Sequence, residues 1–308
     1  LSQSERPILQ TSLKHRIACT GVGVHSGVAV GMTLLPAAAD TGIVFRRIDL
    51  PGEPEIAARW DAATDLMLCT SLVGEGGAKV GTVEHLLAAF AGLGVDNAIV
   101  ELDGPEVPVM DGSSAPFVFL IECAGVAELA APRRYIEVLR PIEVREGNKV
   151  ARLLPSRRSS VAVTIDYAIP SIGRQSVSVT LGEGAFKAEL ARARTFGLLH
   201  EVDMMRAKGL ALGGSLDNAV VVSDEGVLNE GGLRFADEFV RHKALDAVGD
   251  LFLAGAPLLA AFEGERSGHA LNNRLLRALF AEAGAWQIVT RSRRATLRQV
   301  PEVALAVA

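Results

Sequence analysis

The stretch carrying the most chemistry is Phe239-Val240-Arg241-His242-Lys243-Ala244-Leu245-Asp246-Ala247-Val248-Gly249-Asp250. Its apolar residues recur at helical spacing, so the polar ones are the informative ones. His242 and Asp246 are four positions apart and share one helix face, about 40° from each other. An imidazole and a carboxylate in that relation can hold two corners of a divalent-metal site. The same spacing also suits an i,i+4 ion pair, or a lone core histidine, and the helix alone does not choose between these readings. Lys243 and Asp250 flank the pair.

A second histidine opens another apolar helix, Thr82-Val83-Glu84-His85-Leu86-Leu87-Ala88-Ala89-Phe90-Ala91-Gly92-Leu93-Gly94. Thr82 stands where an N-cap is expected, and Gly92 or Gly94 where a C-cap is. Glu84 falls in the first turn, where the helix dipole favours a carboxylate whatever its function. His85, His242 and Asp246 together would make a His₂Asp set, three protein ligands with an open fourth position, as catalytic zinc requires. Glu84 beside a ligand could serve as general base, and His269, in Ser267-Gly268-His269-Ala270-Leu271-Asn272-Asn273, as the acid.

Bulk properties narrow the class. The chain has 308 residues, 49% hydrophobic and 22% charged, enough for a real core and for one large domain or two ordinary ones. Its formal net charge of −5, from 31 basic and 36 acidic residues, disfavours a nucleic-acid partner. The N-terminus, Leu1 to Pro7, is polar and lacks the apolar core of a secretory signal. No apolar run approaches the ~20 residues of a membrane span. Cys19, Cys69 and Cys123 are an odd, scattered set, which points to a reducing, cytoplasmic setting and away from a thiolate metal site.

The elements that must position these residues read as α+β. Strands are expected over 14–20, 28–36, 42–48, 66–73 and 97–102, then over 135–139, 142–144, 149–154 and 160–167. Gly21-Val22-Gly23-Val24-His25-Ser26-Gly27 reads as a turn between strands. A phosphate-binding glycine loop would open a helix, so His25 is expected to be structural or peripheral. Cys69 is expected to act as a small buried hydrophobe. Residues 115–124 read as an apolar helix.

The two halves echo each other. Leu34-Leu35-Pro36 and Leu153-Leu154-Pro155 each precede a turn and a strand. His85 and His242 each open an apolar helix, followed by an apolar strand ending in Asp103-Gly104 or Glu263-Gly264. This predicts two similar α+β domains, 1–130 and 131–308, packed face to face. The interval before the histidine helix is about 38 residues longer in the second half. The extra segment, around 191–222, is rich in Leu, Val, Ala and Gly and is expected to form a strand–helix–strand subunit exposing an apolar surface for a partner or greasy ligand.

Several of these segments also resemble a known family. Thr82 to Ala89, Pro108-Val109-Met110-Asp111-Gly112-Ser113, Ala193-Arg194-Thr195-Phe196-Gly197, Glu238 to Lys243 and Ser267 to Asn273 look like the UDP-3-O-acyl-N-acetylglucosamine deacetylases, zinc-dependent enzymes of lipid A synthesis in Gram-negative bacteria. The likeness runs from about Thr11 to the region of Val289.

The resemblance implies a Zn²⁺ ion on His85, His242 and Asp246, with Fe²⁺ the other metal that imidazole ligands suit. It implies a general base at Glu84, an acid or electrostatic stabiliser at His269, an oxyanion-holding hydroxyl at Thr195, and Asp250 orienting His269. Lys243 would contact substrate and Phe196 would lie near the sugar. It further implies two α+β domains, each with a small insert and the active site between them. The second insert would form an acyl-chain passage, with Leu199, Val202 and Ala211 at lining positions. Asp166-Tyr167-Ala168-Ile169-Pro170 departs from the family's usual Asp-Phe pair followed by His-Pro, and leaves Tyr167 to stack on the uracil. The implied partner is a UDP-linked acylated amino sugar. The chain is expected to be a monomer without a membrane span, working near a membrane through its substrate. The alternative is a noncatalytic binding module on the same duplicated fold. Such a module has no need of Glu84, His85, His242, Asp246 and His269 together.

Overall fold

Alternation is clearest in strand Ala29–Pro36, where Val30, Met32 and Leu34 turn inward while their neighbours face outward. In the computed structural model, which describes residues 5–64, 68–182 and 184–294, this strand pairs antiparallel with Ile17–Val22 and with Ala98–Leu102. Ala98–Leu102 runs parallel to Ile43–Arg47, and Glu55–Ala57 closes the sheet antiparallel to that strand. Phe45, Ile56, Val100 and Leu102 are buried on its inner side.

A second sheet is organised by Leu258–Glu265. This strand is antiparallel to Lys149–Pro155, parallel to Ser160–Asp166 and, at its start, parallel to Arg134–Val138. Ile142–Glu146 and Arg174–Thr180 lie outside the first two, each antiparallel to its neighbour. The order and sense of strands around Leu258–Glu265 therefore match those around Ala98–Leu102. The fold class is α+β, as the sequence predicts.

The helices among the described residues are α1 (Glu84–Leu93), α2 (Ala115–Ala124), α3 (Ala185–Glu189), α4 (Leu199–Ala207), α5 (Glu238–Phe252) and α6 (His269–Ala281). Helix α1 is buried from Glu84 through Phe90, so protein must cover it all round. α2, α3 and α5 provide that cover. The approach of α5 is close enough to need glycine. A β-carbon at Gly249 would sit 2.1 Å from the carbonyl oxygen of Glu84. α5 also packs on α6 and on strand Ser160–Asp166. The start of α1, the middle of α5 and the start of α6 thus meet.

Two small additions stand on this frame. One is a three-stranded sheet of Ala63–Thr64, Ser71–Val73 and Lys79–Val80. The other joins Phe196–Leu198, α4 and Val220–Ser223 as a parallel strand–helix–strand unit, extended by Gly226–Val227. The second matches the subunit expected around 191–222. No helix among the described residues is long and apolar enough to cross a membrane.

Two local expectations need correction. The strand expected over 66–73 is observed only as Ser71–Val73, with residues 65–67 outside the described residues. Thr82 is not the N-cap of α1. It has a left-handed φ of 55°, and its hydroxyl donates to Glu106 Oε1 at 2.6 Å, while Val83 precedes the helix without a side-chain cap. Gly94 does end α1 in the left-handed conformation, as expected of a C-cap glycine.

Candidate active site

Glu84 reaches the site because the chain turns sharply just before α1. The left-handed backbone at Thr82 costs a β-branched residue about 1–3 kcal/mol, and the buried Glu106 carboxylate holds it there. The Glu84 carboxylate is itself buried, with Oε2 accepting the backbone N–H of Thr70 at 3.0 Å. Burial raises its pKa above the ordinary value, although His269 and His85 pull the other way. His85 follows on the next helical position, its carbonyl fixed by the Ser114 hydroxyl at 2.7 Å.

His85, His242 and Asp246 are brought together from α1 and α5. One donor atom from each lies within 4.8 Å of the others, and all three residues are buried. Asp246 Oδ1 sits 3.3 Å from His242 Nε2 and 3.6 Å from His85 Nε2. Asp246 Oδ1 and His85 Nδ1 are buried without a hydrogen-bond partner among the described residues.

The tautomer of His242 decides what this geometry means. Its Nδ1 lies 3.1 Å from the carbonyl oxygen of Ala193, which can only accept, so Nδ1 carries the proton. Burial lowers the ring's pKa to about 3, against the pull of Asp246, so the ring is neutral and Nε2 presents a lone pair. Burial opposes the Asp246 charge as well. The Lys243 ammonium outweighs it and holds the carboxyl well below its ordinary range. Lys243 Nζ donates to Asp246 Oδ2 at 2.7 Å, and Oδ1 is left facing the two imidazoles. A lone pair and a carboxylate oxygen therefore confront each other across 3.3 Å with no protein hydrogen between them. A divalent cation satisfies every one of these donors, so the residues present fit a metal ion.

The third histidine is wired differently. His269, at the start of α6, places Nδ1 at 3.0 and 3.1 Å from the two oxygens of Asp250. Asp250 also accepts from the Thr70 hydroxyl at 2.6 Å and from Asn272 Nδ2 at 2.9 Å. Burial works to lower the His269 pKa, but Asp250 overrides it and raises it to about 9, so the ring is an imidazolium at neutral pH. Its Nε2 points toward Glu84 Oε1 and Asp246 Oδ2, 3.9 Å from each.

These groups face a cavity of about 870 Å³. Glu84, His85, His242, Asp246, Lys243 and His269 line it, together with Thr195, Phe196 and Tyr167. The rings of Tyr167, Phe196 and His242 run edge to face, with centroids 5.7 and 6.3 Å apart in sequence. Thr195 is fixed through its backbone, which donates to Gly112 at 2.8 Å and accepts from Val220 at 2.8 Å. Leu199, Val202 and Ala211 line the part of the cavity formed by the strand–helix–strand unit. Asp250 is not a lining residue of the cavity and reaches it through His269 and, by way of Thr70, Glu84.

Sequence reasoning missed several contributors. His25, expected to be structural or peripheral, lines the cavity, and its carbonyl accepts the Leu212 N–H of the insert at 3.1 Å. Thr70 links Glu84 to Asp250, a role no local pattern announces. The Ala193 carbonyl sets the His242 tautomer through the backbone. Asp166 and Arg266 form an ion pair at the cavity wall. Cys69 also lines the cavity. Burial and the neighbouring Glu84 push its thiol up to about 11, so it remains protonated and weakly nucleophilic.

Three convergent metal donors beside a buried carboxylate and an imidazolium, all opening on one cavity, form the layout of a metal-assisted hydrolase. Comparison with known proteins gives the particular family. Residues 10–281 match the family model described as UDP-3-O-acyl N-acetylglycosamine deacetylase, and the chain belongs to that family. It is 53% identical to the UDP-3-O-acyl-N-acetylglucosamine deacetylase of Chromohalobacter salexigens over 285 residues, covering 92% of this chain and 94% of the relative. The enzyme of the same name from Stenotrophomonas maltophilia is 53% identical over the same shares. That of Xanthomonas campestris pv. campestris is 52% identical, over 91% and 93%.

Proposed function

We propose that this chain hydrolyses the N-acetyl group of a UDP-3-O-acyl-N-acetylglucosamine to the free amine and acetate, a step of lipid A biosynthesis, with zinc as its metal. Family membership supports the substrate class. The observation that carries the chemistry is the unreconciled pair of donors, His242 Nε2 and Asp246 Oδ1, 3.3 Å apart in a buried site.

When bound by His85, His242 and Asp246, a divalent cation supplies Lewis acidity, polarising the acetyl carbonyl and lowering the pKa of water from about 15.7 toward 7. Glu84 takes the proton from the attacking water. Its desolvated carboxylate is a stronger base than an exposed one, and the Thr70 N–H aims it while leaving Oε1 free. His269 offers a proton from Nε2, since Asp250 holds the other ring nitrogen. That proton serves the departing sugar amine, and the imidazolium also stabilises negative charge built on the carbonyl oxygen. The Thr195 hydroxyl, at the cavity wall, is assigned to the same oxygen.

The remaining lining residues bind substrate in this reading. Lys243 contacts the sugar nucleotide, Phe196 flanks the sugar ring, and Tyr167 stacks on the uracil. Leu199, Val202 and Ala211 enclose the acyl chain. A UDP-linked substrate and the three free thiols support a cytoplasmic setting, with the acyl chain bringing the enzyme near a membrane. Every donor of the cluster comes from one chain, so the centre is complete without a residue from a second copy. The matching strand orders support two similar domains divided near residue 130. Acetate release from the acylated UDP sugar, compared with the same sugar lacking its 3-O-acyl chain, tests the assignment. Strong preference for the acylated form is expected. Equal turnover of both would overturn the role given to the insert.

A further inference from the structure

Resting on the metal reading above, a carboxylate that the reaction itself does not touch acquires a role. Glu238 begins α5 and is wholly buried, one helical turn before His242. Its Oε1 accepts both the backbone N–H of Arg194 and Arg194 Nε, each at 2.9 Å. Its Oε2 accepts Arg194 Nη2 at 3.1 Å and the backbone N–H of Arg234 at 2.6 Å. Arg194 Nη2 also donates to the Gly232 carbonyl at 2.7 Å.

The Arg194 N–H belongs to the peptide unit whose carbonyl is that of Ala193. That carbonyl accepts the Nδ1–H of His242 at 3.1 Å. The unit is planar and trans, so its N–H and C=O point in opposite directions. One peptide therefore bridges two side chains of the same face of α5, the Glu238 carboxylate at one end and the His242 imidazole at the other. A charged acceptor on the N–H polarises the amide and makes its carbonyl a better acceptor, an effect of about 10–30% per bond in such chains. The better acceptor holds the proton on Nδ1 and increases the electron density at Nε2.

We propose that Glu238 is a positioning residue for the metal centre, acting on His242 through the 193–194 peptide. It fixes the tautomer and ring orientation and strengthens Nε2 as a ligand. A carboxylate hydrogen-bonded directly to a ligating histidine does the same job in many metal sites. Here a backbone amide stands between them.

The arrangement also explains why the carboxylate must be charged. Four donors converge on it, and the guanidinium of Arg194 supplies the balancing charge. A glutamine at 238 keeps the shape. It presents an NH₂ group to donors on one side and removes the charge that polarises the peptide.

The test is metal affinity measured by chelator competition, with no substrate present. For Glu238→Gln we expect zinc to bind about 10-fold more weakly or worse, within the range that losing an outer partner of a metal ligand produces. Arg194→Lys keeps both the carboxylate and the Arg194-position N–H, so its affinity should fall by less than the ~10-fold at which loss of an outer partner is felt. Unchanged affinity in Glu238→Gln overturns the proposal, and so does an equal loss in both variants, which would mark a packing effect. The tautomer gives a reading that needs no variant. ¹⁵N NMR of the metal-free protein should show His242 protonated at Nδ1, and protonation at Nε2 would overturn the relay. Stoichiometric zinc binding by the unaltered chain, lost in His242→Ala, checks the metal reading separately. Its failure would be seen before Glu238 is tested.

Discussion

Gly249 of α5 lies directly against the backbone of Glu84 at the start of α1, with 2.1 Å between its missing β-carbon and the Glu84 carbonyl oxygen. The contact sets the distance between the helix that carries His242 and Asp246 and the helix that carries Glu84 and His85. Gly249→Ala is expected to force the helices apart. Overpacking of this kind costs about 1–3 kcal/mol, and the donor cluster would open with it. Thermal melting should show the loss of stability, and zinc titration a parallel loss of affinity. A variant that melts normally and binds zinc normally would show that the crossing has slack.

Replacing Glu84 separates proton transfer from metal binding. Glu84→Gln keeps the Thr70 hydrogen bond through its amide oxygen but cannot take a proton. Its kcat is expected to fall about 10²–10⁴-fold, with zinc content unchanged. Full turnover in this variant would remove Glu84 from the base role.

The pH profile follows from the two buried groups. His269 has its pKa raised from 6.5 to about 9, so the imidazolium is present at neutral pH and lost as pH rises through that value. A cation at the adjacent cluster repels the imidazolium, placing the basic limb of kcat/KM at about 9 or below. Asp250→Asn removes the group that raises the pKa and should move the limb down by at least about one unit. The acidic limb belongs to Glu84, raised above its ordinary 4.5 by burial. His242 stays neutral down to about 3 and does not contribute there. A basic limb that ignores Asp250→Asn would contradict the assignment.

The insert makes a prediction about chain length. Val202 lines the cavity on α4, and Val202→Trp should fill the space that the proposed function assigns to the acyl tail. KM for long-chain substrates is expected to rise about 10-fold or more, with kcat on a short-chain analogue retained. Equal effects on both substrates would place the tail elsewhere.

Much of the site could be read from the chain because its candidate residues fall at helical spacing, at the starts of α1 and α6 and in the body of α5. Glu84 and His85 occupy one first turn, and His242 and Asp246 one face, both visible as spacing. The class of fold and the strand–helix–strand insert were legible for the same reason, through alternation and an unequal interval. What escaped was the set of contacts made through backbone or across long separations. Thr70 reaches Asp250, 180 positions away, with no pattern to mark it. Ala193 contributes a carbonyl, which any residue has. Thr82 has the residue type of an N-cap, yet the buried Glu106 carboxylate competes for its hydroxyl and wins. His25 lies on a turn held by the distant Glu106 carboxylate and by the Leu212 N–H of the insert, contacts that no local pattern marks.

The most direct test of the metal centre is to measure metal content and deacetylation on one sample before chelation, after chelation and after zinc is restored. About one ion per chain is expected, with acetate release abolished by its removal and recovered with it, and with both lost in His242→Ala. Full turnover by metal-free protein, or full zinc occupancy in His242→Ala, would contradict the assignment of His85, His242 and Asp246 as the catalytic metal site.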